Sequence, residues 1–203
     1  MSRIIRLHDM VLHTASLGPF NRCAIWLQGC DRHCSGCMSV QTQAFDAGCL
    51  ISVEEIFHEL IAISDIEGIT ISGGEPFLQI DALHELLTVV RHQTNLGVIL
   101  YSGYYLAELA AMENPKAREI IYGLVDVVID GSYVEMLNDD KGLRGSTNQN
   151  VHFITERYRP FEKVFTKDAR KAEIRLNNQE LFFVGVPDRE MLSTWRMMAA
   201  VEK

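Results

Sequence analysis

Apolar and polar positions along the chain follow two periods, one typical of buried strands and one typical of amphipathic helices. Short apolar runs predict strands at residues 22–28, 69–72, 98–101 and 125–129. Apolar residues at three- and four-residue spacing predict helices at 53–63, 81–92, 105–112 and 115–122. Ser52, with Glu55 three residues later, has the pattern of a helix-initiating capping box. This alternation predicts an α/β fold around a parallel sheet.

The pattern changes from about residue 161. Residues 172–176 and 181–186 read as strands, and Asn177-Asn178 between them suits a tight hairpin turn. A short helix is predicted at 189–201. We therefore expect a core at residues 1–160 and a C-terminal hairpin-and-helix extension at residues 161–203, packed on the same domain.

Chemically informative residues directly follow the predicted strands. They are Gly29-Cys30, Gly73-Gly74-Glu75-Pro76, Ser102-Gly103-Tyr104 and Asp130-Gly131. Ligands of parallel α/β sheets collect at the carboxyl ends of the strands. Ser102, Tyr104 and Asp130 are therefore candidates for a ligand pocket at this edge, although Tyr104 also suits the core and Asp130 also suits a turn.

Three cysteines lie within eight residues, at Cys30, Cys34 and Cys37. Three thiolates on one loop can converge on a metal centre, either zinc or an iron-sulfur cluster. Structural zinc normally takes four ligands, and His33 could complete such a set only within the same tight loop. A 4Fe-4S cubane on three cysteines instead leaves one iron open to a ligand, so the spacing favours iron-sulfur.

Composition and charge exclude several classes of protein. The chain has 203 residues, of which 47% are hydrophobic and 23% charged, which is typical of a globular protein. The formal net charge of -8 disfavours nucleic acid as a partner. No apolar run approaches the ~20 residues of a membrane span, and the charged residues scattered through residues 1–16 do not suit a signal peptide. The clustered cysteines suit a reducing compartment, so we expect a cytoplasmic location.

Two motifs in this order resemble the radical S-adenosylmethionine (SAM) superfamily: the Cys-x-x-x-Cys-x-x-Cys loop and the later Ile-Ser-Gly-Gly-Glu-Pro segment. Further segments are similar to the activating proteins of anaerobic ribonucleotide reductase, which install a glycyl radical on their partner. These segments are Trp26–Cys30, Ser35-Gly36, Tyr101–Tyr104, Asp126–Gly131 and Leu143–Gln149. The resemblance covers about residues 5 to 155.

The resemblance implies a 4Fe-4S cluster on Cys30, Cys34 and Cys37, with SAM bound at the open iron. It implies that Gly73, Gly74, Glu75 and Pro76 contact the amino group of SAM, and that the fold is an incomplete TIM-like (β/α)6 barrel. No side chain is assigned as an acid or base, because the cofactor carries the difficult chemistry.

The implied partners are a one-electron donor such as flavodoxin or ferredoxin, and a glycyl-radical enzyme such as anaerobic ribonucleotide reductase. Two other functions stay open. A stand-alone radical SAM enzyme could modify a small molecule or peptide under the C-terminal extension. A non-enzymatic zinc or iron-sulfur module is the second alternative, although it leaves Gly73–Pro76 unexplained.

Overall fold

The elements below come from a computed structural model that describes residues 2–177 and 180–200. Its strands are β1 (Ile4–Thr14), β2 (Arg22–Leu27), β3 (Cys49–Ser52), β4 (Gly68–Gly73), β5 (Gly97–Ser102), β6 (Val127–Asp130), β7 (Asn150–Phe153), β8 (Ala172–Asn177) and β9 (Glu180–Gly185). Its α-helices are α1 (Val53–Ala62), α2 (Ile80–Gln93), α3 (Leu106–Ala111), α4 (Lys116–Glu119), α5 (Glu162–Thr166) and α6 (Arg189–Ala200).

Seven of the strands form one sheet, in the order β3-β1-β2-β4-β5-β6-β7. The central strands β2, β4, β5 and β6 are parallel. β1 pairs antiparallel with β2 and β3, and β7 pairs antiparallel with β6. The mixed α/β class and the parallel centre are confirmed, but the described parallel set has four strands instead of the expected six.

The connections between strands explain this difference. A parallel neighbour requires a long crossover, usually with a helix, and α1, α2 and the α3–α4 pair occupy the three crossovers between β2 and β6. Between β6 and β7 the chain forms one 3-10 turn, Glu135–Leu137, and then returns antiparallel. The cysteine loop therefore follows the second strand of the chain, which is the first strand of the parallel set.

Alternate residues of the central strands pack into two different clusters, as the two-residue period of a strand requires. Val98, Leu100 and Val128 pack with the helices of the crossovers. Ile99 and Ile129 pack on the other side with a second group. Burial on both faces produces the continuous apolar runs that made these strands recognisable in the sequence.

The predicted capping box begins α1. The Ser52 hydroxyl accepts a hydrogen bond of 3.1 Å from the Glu55 amide, and the Glu55 carboxylate accepts 2.9 Å from the Ser52 amide. The side chains of Ser52 and Glu55 therefore satisfy two backbone amides at the start of the helix.

A fully buried arginine, Arg22, ties together the amino ends of the parallel strands. Its guanidinium donates to the Glu67 carboxylate at 2.9 Å and to the Tyr158 hydroxyl at 2.7 Å. It also donates to the Ile69 and Gly97 carbonyls, at 2.7 Å and 3.1 Å. A buried charge is tolerated when it is paired and fully hydrogen-bonded, as this one is.

The C-terminal segment contributes the antiparallel β8–β9 pair and α6. Of the predicted turn, Asn178 lies outside the described residues, as does the end of the predicted helix at Val201. The Ser16 hydroxyl donates 3.0 Å to the Val184 carbonyl, which fixes β9 beside the loop after β1. None of the helices in the described residues is long and apolar enough to cross a membrane.

Candidate active site

The carboxyl ends of the four parallel strands surround one cavity of about 150 Å³, which we call the cluster cavity. All four of the segments that follow the predicted strands contribute at least one residue to it. Its lining includes Cys30, Cys34, Cys37, Gly73, Gly74, Glu75, Ser102, Gly103, Gly131, Gly145 and Gln149. The structure therefore brings the cysteine loop and the Gly-Gly-Glu segment to the same opening, although 35 residues separate Cys37 from Gly73 in the sequence.

All three cysteines of the loop face the cluster cavity. Backbone amides support two of the sulfur atoms: Arg32 donates to Cys30 and Ser39 donates to Cys37, each at 3.4 Å. Burial raises the pKa of the Cys30 thiol, and the backbone bond from Arg32 partly opposes that shift. Amide groups aimed at sulfur stabilise a thiolate, which is the form that binds metals.

The lining of the cavity is compatible with an iron-sulfur cluster. A cubane places each thiolate on a different iron, so its ligands need to face one cavity. Cys30, Cys34 and Cys37 all line the cluster cavity.

Gly74 packs the end of β4 directly against the base of the cysteine loop. The Gly74 amide donates 2.8 Å to the Leu27 carbonyl, and the Glu75 amide donates 2.9 Å to the Gly29 carbonyl. A Cβ atom at Gly74 would lie only 2.1 Å from the Gly29 carbonyl oxygen. Only glycine allows this close approach of two backbones.

Glu75 is buried at the floor of the site, with 1% of its surface exposed. Its carboxylate accepts hydrogen bonds from the Ser102 hydroxyl at 3.0 Å, the Gly103 amide at 2.7 Å and the Phe77 amide at 3.1 Å. Burial raises the pKa of Glu75 to about 7, against these three bonds and the charge of Arg32. The carboxylate is thus poised between its charged and neutral forms near neutral pH.

Arg32 is a site residue that sequence reasoning missed. It lines the cluster cavity, and its guanidinium donates 3.0 Å to the Ser132 hydroxyl. The same group stacks on the ring of Tyr104. A lone arginine in a loop carries no sequence signal for such contacts, because its partners lie about 70 and 100 residues later in the chain.

Three of the candidate residues lie outside the lining of the cavity. The Asp130 carboxylate accepts bonds from the Leu106 amide at 2.6 Å and from the His152 imidazole at 2.9 Å, so it anchors α3 and β7. The Tyr104 hydroxyl donates a hydrogen bond to the carboxylate of Asp31, which belongs to the cysteine loop. Pro76 begins a 3-10 helix.

Apolar side chains near the two motifs also differ in position. Trp26 and Met38 line the cavity, whereas Phe77 packs in the main core.

The polar segment 143–149 closes one wall of the cavity. The Gln149 side chain donates 2.7 Å to the Gly131 carbonyl and accepts 2.7 Å from the Gly145 amide. The Tyr101 hydroxyl donates 2.9 Å to the Leu143 carbonyl. These bonds place the segment over the ends of β5 and β6.

Comparison with known proteins identifies the family. The sequence profile of the 4Fe-4S single cluster domain matches residues 17–152, about two thirds of the chain, and the chain belongs to that family. This match supports an iron-sulfur cofactor for the chain, in place of zinc. Within this class, the chain belongs to the family of anaerobic ribonucleoside-triphosphate reductase-activating proteins.

That membership rests on curated relatives. The activating protein of Salmonella typhi is 32% identical over 147 residues, which are 68% of this chain and 91% of the relative. The protein of Vibrio cholerae is 30% identical over 148 residues, with the same coverage of both chains. The protein of Enterobacteria phage T4 is 30% identical over 145 residues, 68% of this chain and 88% of the relative.

One solved structure has a partial similarity to this fold. The crystal structure of QueE from Escherichia coli superposes with a TM-score of 0.41 at 15% identity, over 49% of this chain and 53% of QueE.

Proposed function

We propose that this enzyme is a radical SAM activase that installs a glycyl radical on a partner such as anaerobic ribonucleotide reductase. The observation that carries the proposal is the meeting of Cys30, Cys34 and Cys37 with Gly74 and Glu75 in one cavity. The curated relatives are named for the activation of anaerobic ribonucleoside-triphosphate reductase. A reduced cluster of this kind supplies the electron that splits SAM into methionine and a 5′-deoxyadenosyl radical.

In this proposal the three cysteines hold a 4Fe-4S cluster with one open iron. Gly73 and Gly74 let the ligand approach the end of β4. The Glu75 carboxylate has about four acceptor positions, of which Phe77, Ser102 and Gly103 use three. We assign the remaining position to the ammonium group of SAM.

The other candidate residues act through their neighbours. Ser102 orients the Glu75 carboxylate, and Pro76 turns the chain into the following helix. Tyr104 holds the outer side of the cysteine loop, and Asp130 fixes the ends of α3 and β7. We therefore propose indirect roles in SAM binding for Tyr104 and Asp130.

We also propose that the four-stranded parallel centre is the incomplete (β/α) barrel of a radical SAM enzyme. Residues 1–160 form that core and residues 161–203 form the extension. The extension contributes Gly185 and Val186 to the cluster cavity. This contribution supports the second candidate function, a stand-alone enzyme for a small molecule or peptide.

The first test is SAM cleavage by the anaerobically reconstituted chain with dithionite, which replaces a flavodoxin or ferredoxin donor. We expect 5′-deoxyadenosine from the wild type and from Cys49→Ala, whose residue is exposed and lies outside the cavity. We expect none from Cys30→Ala. No product from chain that holds an intact cluster and binds SAM, even with the reductase present, would contradict the proposal.

A second assay separates the two candidate functions. If the activase proposal is correct, adding anaerobic ribonucleotide reductase produces a glycyl-radical signal in electron paramagnetic resonance. SAM cleavage without that signal, at stoichiometric reductase, would favour the stand-alone enzyme.

A further inference from the structure

A second cavity of about 300 Å³ lies between the C-terminal segment and the core, and we call it the extension cavity. One wall comes from β1, β2 and the chain after Cys37, and the other comes from β9 and α6. The lining residues are His8, Asp9, Trp26, Met38, Ser39, Gln41, Phe182, Phe183, Gly185, Pro187, Leu192 and Trp195. A volume of this size admits a side chain or a small organic molecule.

Aromatic rings form much of this lining. Trp26, Phe182, Phe183 and Trp195 all face the cavity. The rings of Phe183 and Trp195 pack together with their centres 5.7 Å apart, which holds both against the opening. Aromatic faces carry partial negative charge and attract cations.

One carboxylate, that of Asp9, lines the cavity. Asp9 lies directly opposite Trp26 in the β1–β2 pairing. Its carboxylate accepts a hydrogen bond from the adjacent Met10 amide, and no ion pair of Asp9 is formed within residues 2–177 and 180–200. No lysine or arginine lines the cavity in the described part of the chain. Among the described lining residues, Asp9 is therefore the only aspartate, glutamate, lysine or arginine, and the imidazole of His8 is the other titratable group.

The extension cavity adjoins the cluster cavity. Trp26, Met38, Ser39 and Gly185 line both, so these residues form the wall between the two. The family match ends at residue 152, whereas half of the extension cavity comes from residues 182–195. Half of the lining of this second site thus belongs to the part of the chain that lies beyond the shared family region.

We propose that the extension cavity binds an organic cation, an ammonium or guanidinium group, whose charge pairs with Asp9 and packs against Trp26 and Trp195. The carboxylate and the aromatic faces attract the same sign of charge, and the apolar lining receives the carbon chain that carries it. A ligand held here lies next to the cluster cavity. A role for this ligand in presenting a substrate to the cluster cavity rests on the proposed function, whereas binding of the cation to the extension cavity does not.

The two tryptophans of the chain are Trp26 and Trp195. Both line the extension cavity, and Trp26 also lines the cluster cavity, so the Trp195 signal is the one that distinguishes binding in the extension cavity. The full chain, before cluster reconstitution, is titrated with N-acetyl-arginine amide, with tetramethylammonium and with the peptide Gly-Gly-Arg-Gly-Gly. N-acetyl-citrulline amide is the uncharged control. Binding is followed by tryptophan fluorescence and by the indole N–H resonances of the two side chains.

We expect the cationic probes to shift both indole signals, and the citrulline probe to bind at least fivefold more weakly. Asp9→Asn should weaken cation binding on the order of fivefold, as the loss of a partly exposed charge pair does. Glu113→Gln removes the same charge from an exposed residue that lines neither cavity, and it should bind like the wild type. Tighter binding of the peptide than of the capped arginine would identify a polypeptide side chain as the natural ligand; the reverse would identify a small molecule.

The inference is overturned if no cation perturbs the indoles at millimolar concentration. It is also overturned if charged and uncharged probes bind equally, or if Asp9→Asn binds cations as the wild type does. Because the titration needs no cofactor, these outcomes are distinct from a failure of SAM cleavage.

Discussion

The guanidinium carbon of Arg32 lies 4.5 Å from the centre of the Tyr104 ring, and the Tyr104 hydroxyl donates a 3.1 Å hydrogen bond to Asp31. Asp31 and Arg32 stand between the first two cysteines of the loop. One side chain at the end of β5 therefore holds two consecutive residues of the segment that we assign to the cluster.

Replacing Tyr104 separates these two contacts. Tyr104→Phe keeps the ring beneath Arg32 and loses the bond to Asp31, whereas Tyr104→Leu loses both. We expect each to lower the free energy of unfolding by no more than about 1 kcal/mol, because cation–π contacts between partly exposed side chains such as Arg32 and Tyr104 are weak. The rate at which a chelator removes iron from the reconstituted chain is measured by absorbance. It should be several-fold faster in Tyr104→Leu than in the wild type, with an intermediate rate in Tyr104→Phe. Wild-type rates in both variants would show that Tyr104 does not hold the loop.

Glu75 makes the stability of the cluster-free chain depend on pH. Its pKa is about 7 in the folded chain, above its ordinary value of 4.5, so the folded state binds the proton more tightly than the unfolded state. The free energy of unfolding therefore falls as pH rises from about 4.5 to 7. A shift of this size corresponds to a loss on the order of 3 kcal/mol.

The neutral variant Glu75→Gln removes this dependence. Urea unfolding at pH 5 and pH 8 should show the variant gaining stability relative to the wild type at the higher pH. Glu113→Gln, the exposed control, should keep the wild-type profile. A parallel pH profile for Glu75→Gln and wild type would mean that Glu75 stays ionised in the fold.

Two glycine-to-alanine changes test the contact between β4 and the cysteine loop. Gly74→Ala places a Cβ 2.1 Å from the Gly29 carbonyl, so backbone must move. We expect it to cost about 2 kcal/mol or more and to prevent cluster assembly. Gly123→Ala meets no atom within 4 Å and lies in a helical turn, so we expect it to be neutral or slightly stabilising. Chemical denaturation and iron content measure both effects; full iron in Gly74→Ala would contradict the close packing.

The five cysteines should fall into two groups. Cys30→Ala, Cys34→Ala and Cys37→Ala are expected to abolish binding of a 4Fe-4S cluster, measured as iron and sulfide per chain. Cys23 is fully buried and burial raises its pKa to about 12, so it stays a neutral thiol in the core. Cys23→Ala should cost about 1 kcal/mol of stability, and, like Cys49→Ala, leave the iron content unchanged. A normal cluster in Cys34→Ala would remove the three-cysteine assignment.

Sequence patterns predicted the features that depend on local or repeated signals. Ser52 and Glu55 define their own helix start, and continuous apolar runs such as 98–101 mark strands buried on both faces. β1 was missed because His8 and Asp9 interrupt its apolar positions. β7 was missed because a four-residue strand at the sheet edge carries almost no pattern.

The site was predictable only where its chemistry is concentrated in short motifs. Cys30 and Glu75 could be predicted, because their residue types and the spacing within their motifs are characteristic. Other features of the site depend on tertiary packing between distant segments. They are the contact of Arg32 with Tyr104, the hydrogen bonds of Asp130 with Leu106 and His152, and the extension cavity. No local pattern encodes such distances.

The Arg22 network and the cluster cavity lie at opposite ends of the same strands. A six-residue strand such as β4 is about 20 Å long, so the interactions that hold the sheet are remote from those that hold the ligands. Thermal tolerance can therefore be engineered at the Arg22 end while the specificity of the other end is altered independently. The molecule therefore has two separate regions for laboratory evolution: substitutions in one change stability, and substitutions in the other change the chemistry.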